Sequence, residues 1–216
     1  MNVYFLKLCY ISFMKNLLPL LALTFLFSCA ENNSYSQRLL NADTENESWL
    51  LHGRTYDESR FSPLNDINDS NVADLGVLWT FETGTNRGHE TTPIVVDGVM
   101  FITAPWSMVF ALDARTGEEI WSFDPEIDKA WARNACCDVV NRGVAVWGDH
   151  VVFATIDGRL ISLDKKSGEV NWDVLTIDKS KPYTITGAPR IIDGKIIIGN
   201  GGGEFGVRGY ISAYDV

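Results

Sequence analysis

The stretches ALDARTGEEIW at 111–121 and SLDKKSGEVNW at 162–172 align without a gap, and their repetition decides the fold. Asp113, Gly117 and Trp121 recur as Asp164, Gly168 and Trp172, each 51 residues on, and AYD at 213–215 opens a third copy in which Asp215 lies a further 51 residues along. In both complete copies an alternating run ends at Asp, a turn carries Thr-Gly or Ser-Gly, and a second run sets Trp on its buried side. Gly supplies the positive φ that such a turn needs. Trp79, in LGVLWTFE, stands 42 residues before Trp121 and takes the closing-strand position with no complete unit ahead of it.

Between and beside these motifs, paired apolar runs flank Asp97-Gly98 in PIVVDGVMFITA, Asp157-Gly158 in FATIDGRLISLD and Asp193-Gly194 in PRIIDGKIIIG, each with a hairpin signal at its centre. Each repeat therefore predicts about four strands. One twisted four-stranded sheet cannot bury both of its faces until it stacks on copies of itself, so a unit of about 50 residues reads as a propeller blade. An isolated meander or sandwich is the plainer alternative, and the constant spacing of the Trp-bearing turns argues against it. Seven Trp and eighteen Gly fit the same all-β expectation.

The chain has 18 basic and 28 acidic residues, a net charge of −10, and no Lys/Arg-rich run to track a phosphate backbone, which excludes nucleic acid as an expected partner. Its first 29 residues carry only Lys7 and Lys15 as charges and read as an export segment. The apolar run at 17–27 is shorter than the ~20 residues of a spanning helix. It ends in Leu26, Phe27, Ser28 and Cys29, similar to a bacterial lipobox although Phe27 is bulky for one. Lipidation of Cys29 is the expectation, with simple cleavage or an uncleaved anchor as alternatives and Met14 as a second candidate start. A periplasmic location goes with export. Without Lys7 and Lys15 the exported part has 16 basic against 28 acidic residues, or −12. Residues 30–48 are rich in Asn, Ser and Glu and predict a flexible polar tether, and the propeller domain is expected at 49–216.

Cys136-Cys137 is the sharpest chemical feature. Adjacent cysteines in an oxidising compartment can close an eight-membered ring that presents a flat, polarizable sulfur surface, or they can stand as two buried thiols. They lie in ARNACCDVVNRGVAVWGD at 132–149, and the run from CCD to NRGVA strongly resembles the pyrroloquinoline-quinone (PQQ) dependent alcohol dehydrogenases of the methanol and ethanol class. The docking unit Asp-x-x-Thr/Ser-Gly-x-x-x-Trp resembles the same family's tryptophan-docking repeat, and WLLHGRTYDESRFSPLNDINDSNVADLGVLW at 49–79 resembles its opening segment. The resemblance implies an eight-bladed propeller, of which this chain holds about two and a half blades. It also implies a Cys136–Cys137 disulfide stacked on one face of PQQ, and Arg142 as the forked donor to the cofactor's carboxylates. In RGHETTPIVVDGVMF it places Glu90 at the family's acidic cofactor contact. In YTITGAPRIIDGKIIIGN it places Thr186 at a hydroxyl contact, with Thr184 as the competing choice.

GNGGGEFGVRGYISAYD at 199–215 is the second strong signature. It is similar to the family's Gly-Gly-Ala-Glu run, which implies that Gly202 and Gly203 bring backbone against PQQ and that Glu204 ligates Ca²⁺, with a lanthanide as the other occupant. Gly203 departs from the family's Ala. The implied reaction is oxidation of a primary alcohol to an aldehyde, with electrons passed to a cytochrome c. Eight blades need ~400 residues, and the family's catalytic Asp and remaining metal ligands belong to later blades. The chain is therefore expected to be the amino-terminal part of a longer enzyme, inactive alone and dependent on missing carboxy-terminal blades. A non-catalytic propeller lipoprotein for outer-membrane assembly carries similar repeats and is the alternative, and an exported sugar-binding module is a third. Neither has a use for Cys136, Cys137, Arg142 and Glu204 together.

Overall fold

The computed structural model describes residues 34–216. The expected export segment at 1–29, with Cys29 and Met14, lies outside the described residues. Three antiparallel meanders succeed one another along the chain. The first is β1 (Ile94–Val96), β2 (Val99–Ala104), β3 (Met108–Asp113) and β4 (Glu119–Phe123); the second is β5 (Ala145–Trp147), β6 (His150–Ala154), β7 (Arg159–Asp164) and β8 (Val170–Leu175). The third has three strands, β9 (Arg190–Ile192), β10 (Lys195–Gly199) and β11 (Ile211–Asp215). β1 touches β5 and β5 touches β9, so these are the innermost strands of a partial β-propeller of about two and a half blades. Antiparallel connection gives each sheet two ends. The segments leading into β1, β5 and β9 and the β2–β3, β6–β7 and β10–β11 connections share the upper end; the tight turns and the docking motifs share the lower.

The docking motif works as its spacing predicts. Asp113 Oδ1 accepts from the backbone N–H groups of Arg115 and Thr116 at 2.9 Å each, and Asp164 Oδ1 accepts from those of Lys166 and Ser167 at 2.9 and 2.8 Å. These turns bring a glycine under a tryptophan that precedes it along the chain. A Cβ on Gly168 would meet the Trp121 ring at 2.7 Å, and one on Gly117 would meet Trp79 at 2.5 Å, with φ near +74° at both glycines. The Trp121 indole N–H donates to the Lys165 carbonyl at 3.1 Å, which pins the first sheet to the second. Trp79 keeps the docking contact although residues 75–83 form no regular strand. A register shift recurs at Ala111/Leu112 and Ser162/Leu163, so the bulge repeats with the motif.

The core lies between the stacked sheets, where Phe101, Phe153, Leu160, Ile161, Leu163 and Ile196 are fully buried. The expected flexible tether is corrected over its described part. Residues 34–40 are helical, Leu39 is 1% exposed and Ala42 is 2% exposed. Burial of one Leu contributes about 1.5–3 kcal/mol, and the segment's polar contacts add to it. Its polar residues, which suggested disorder, are used on the lower end of all three sheets. Arg38 pairs with Asp97 at 2.7 Å in the β1–β2 turn, Tyr35 packs on Trp147 of β5 with centroids 5.3 Å apart, and Ser36 donates to Asp193 at 3.1 Å in the β9–β10 turn. The segment is a strap across the three sheets.

Candidate functional site

The segments that lead into the innermost strands converge at the upper end. Thr92 N–H donates to the Arg142 carbonyl at 3.1 Å, and Arg142 N–H donates to the Thr186 carbonyl at 3.0 Å, so three sheets are stitched by backbone around one centre. The side chains do the same. Arg142 Nη2 lies 2.6 Å from Glu90 Oε2, and Arg142 Nη1 donates to Thr186 Oγ1 at 2.7 Å. Glu90, Arg142 and Thr186, 96 residues apart at their extremes (186 − 90), thus form one cluster with the guanidinium at its middle. Arg142 and Glu90 remain about two-fifths exposed, at 43% and 41%. Guanidinium carries five donors in a fixed fork, so contacts through Nη1 and Nη2 leave donors over for a further acceptor.

Of the two candidate threonines, Thr186 is the one beside Arg142. Thr184 is buried, its backbone pairs with Gly201, and its hydroxyl faces the place where a Gly201 Cβ would stand, at 3.1 Å. Gly201 and the glycines after it belong to an enlarged connection. Val99 faces Asp113 and His150 faces Asp164, 14 residues apart in each case, whereas Lys195 faces Asp215 at a separation of 20. The six extra residues make room for the 201–206 loop. Gly202 is buried there with φ +107°, and a Cβ would lie 2.4 Å from the Pro182 carbonyl oxygen. Gly203 has open space around it, so the family's usual Ala would fit at that position. Glu204 sits in the short 3-10 turn Gly203–Phe205 and is exposed.

Cys136 and Cys137 are joined in a vicinal disulfide, and both residues are exposed. The disulfide belongs to the same strip as the cluster. Segments 87–92 and 138–142 run alongside each other through the Arg87–Asp138 and Glu90–Arg142 ion pairs and the Thr92–Arg142 backbone bond. The hydrogen bond from Arg87 holds the Asp138 carboxyl below its usual range, helped by the Val139 N–H.

Sequence reading missed several supports of this arrangement. Asn141, 1% exposed, donates to the Ala154 carbonyl at 2.7 Å and accepts from the Gly143 N–H at 3.0 Å, shaping the bend after Arg142. Thr92 Oγ1 meets His52 Nε2 at 3.0 Å, and burial, then the Arg190 charge, lowers the His52 pKa. A lone Asn or His in a loop gives no periodic signal.

The donor set fits a planar cofactor with carboxylates: a forked guanidinium, a hydroxyl, a close backbone approach at Gly202 and an exposed flat disulfide. It does not complete a metal centre. Among the described residues no group of three or more His, Cys, Asp or Glu side chains could hold a metal ion, and Glu204 is the candidate ligand from this chain.

Comparison with known proteins points the same way. A PQQ family model described as "Glucose/ethanol/alcohol dehydrogenase, beta-propeller domain" matches residues 49–216. The 1-butanol dehydrogenase (cytochrome c) of Thauera butanivorans is 55% identical over 168 residues, 77% of this chain and 24% of that protein. The solved quinohemoprotein alcohol dehydrogenase ADHIIG of Pseudomonas putida is 54% identical, with a TM-score of 0.81 over 83% of this chain and 26% of that one. A europium-containing methanol dehydrogenase superposes with a TM-score of 0.79 at 38% identity, over 83% of this chain and 32% of that chain. The chain spans about a quarter of the length of the curated relatives it matches.

Proposed function

Because this chain belongs to the PQQ-type glucose/ethanol/alcohol dehydrogenase β-propeller family, we propose that it forms one wall of the cofactor site of an exported PQQ-dependent alcohol dehydrogenase. The supporting observation is the convergence of Glu90, Arg142 and Thr186 from three sheets beside the segment that carries Cys136–Cys137. PQQ, when bound, supplies the hydride-accepting quinone. Arg142 and Thr186 would donate hydrogen bonds to its carboxylates, and Glu90 would keep the guanidinium oriented as the site's acidic contact. The disulfide would cover one face of the cofactor and exclude water from it. Gly202 lets the backbone approach the ring edge, and Glu204 gives one oxygen ligand to Ca²⁺ or to a lanthanide, the remaining donors coming from elsewhere in the assembled enzyme.

The wider reading, also ours, is oxidation of a primary alcohol to an aldehyde with a cytochrome c as electron acceptor, in the periplasm, with Cys29 as lipid anchor. The 216 residues alone are expected to bind PQQ and not to turn over, since no proton acceptor is assigned among them. The scaffold alternative leaves an exposed disulfide and a forked guanidinium without a task. Titration of the purified chain with PQQ, followed by cofactor fluorescence, tests the reading: saturable binding is expected, weakened about tenfold in Arg142→Ala, since charge-assisted hydrogen bonds contribute about 1.5–3 kcal/mol. Binding that ignores Arg142 sinks the site. Alcohol-dependent dye reduction by this chain alone sinks the expectation of inactivity.

A further inference from the structure

Cys136 and Cys137 are exposed and lie outside any strand, just after the short 3-10 turn Lys129–Asn134. Asp138 is the next residue along the chain. Asp138 has φ +78°, a left-handed conformation that Asp tolerates better than most side chains because its carboxylate can bond locally. Its Oδ1 accepts from the Val139 N–H at 2.8 Å and from Arg87 Nε at 2.8 Å, and it also meets Arg87 Nη2. Arg87 comes from the segment leading into the first sheet, 51 residues away. Its guanidinium lies 5.5 Å from the centre of the Trp106 ring, whose other cation is Lys129 at 4.1 Å. Trp106, itself at φ +65°, donates its backbone N–H to the Val139 carbonyl at 2.9 Å. The circuit closes on the residue next to Asp138.

We infer that Arg87 and Asp138 are positioning residues that set the attitude of the Cys136–Cys137 disulfide toward the flat face of its cofactor. The inference rests on the PQQ reading of the site. In a vicinal disulfide the sulfurs turn with the peptide, so the backbone after Cys137 decides which way the ring faces. Two N–H groups of Arg87, from the segment that leads into the first sheet, meet one oxygen of Asp138 and hold that backbone, and the Trp106 ring backs the guanidinium. The ion pair is partly exposed, with side chains at 48% and 31%, so its effect is local orientation rather than overall stability.

The test uses the full chain as wild type, Arg87→Gln and Asp138→Asn; Asn retains an oxygen for the Val139 N–H and tolerates the same φ. Three quantities are measured: the unfolding midpoint, PQQ affinity, and the rate of reduction by dithiothreitol with thiol trapping. In that reduction Cys136 and Cys137 take up two electrons and two protons while dithiothreitol closes to its cyclic disulfide. Both variants are expected to be reduced about threefold faster and to bind PQQ about threefold more weakly, at an unchanged unfolding midpoint, with Arg87→Lys intermediate. Equal reduction rates in all proteins overturn the lock. Faster reduction that tracks a lowered midpoint assigns the pair to general stability and overturns the positioning role. Faster reduction with PQQ affinity untouched retains the lock and overturns the disulfide as cofactor platform, so failure of the inference and failure of the site reading are told apart.

Discussion

Asp113 and Asp164 occupy the same place in successive sheets, and backbone N–H donors, from Thr116 first for one and Ser167 first for the other, hold both carboxyls below the usual range. Because the folded-state pKa is depressed, their stabilisation is present above the unfolded value of about 3.9 and is lost as pH falls through the folded value. Asp164→Asn is therefore expected to be less stable than wild type at pH 7, with the gap closing below about pH 4; circular dichroism against urea at stepped pH measures it. The glycines of the upper loop separate in the same way. Gly202→Ala is expected to destabilise by about 1–3 kcal/mol, through its positive φ and the Pro182 carbonyl, while Gly203→Ala should stay within about 0.5 kcal/mol. Urea unfolding reads both. Residue types with motif company, Cys136-Cys137 and Arg142, were legible in the sequence. Asn141, His52 and Asp138 were not, because their significance depends on partners in other sheets that no local pattern encodes.

Among the elements, the fourth-strand tryptophan is the joint between sheets. Trp121→Ala removes a ring that is 8% exposed and its bond to Lys165, and it is expected to cost about 3–5 kcal/mol; the half-buried Trp172 should cost less than about half of that in the same unfolding assay. Strands were read well from the sequence because alternation and Asp-Gly turns act over a few residues. Asp97 and Asp193 adopt the positive φ that such turns require, whereas Asp157-Gly158 lies in a longer connection at the opposite end. The strap was misread. Its composition is that of a disordered segment, and its order comes from Leu39 and Arg38 meeting residues that lie far along the chain.

Across the three sheets together, apolar side chains remain exposed on β8 and β11, with Leu175 at 52% and Ile211 at 74%, next to unpaired strand edges. Such surface favours self-association. Light scattering of the isolated chain is expected to rise with concentration, and Ile211→Lys should raise the concentration at which it begins. The period of 51 announced this stacking architecture, while which surfaces stay open depends on the count of sheets present. The strap adds a matter of timing. A chain that emerges amino terminus first releases Ser36 and Leu39 early, yet Asp193, the partner of Ser36, lies 157 residues behind. Until that hairpin has been made, Ser36 cannot bond to the third sheet, so an early segment of the chain waits on a late one before it is fully fastened.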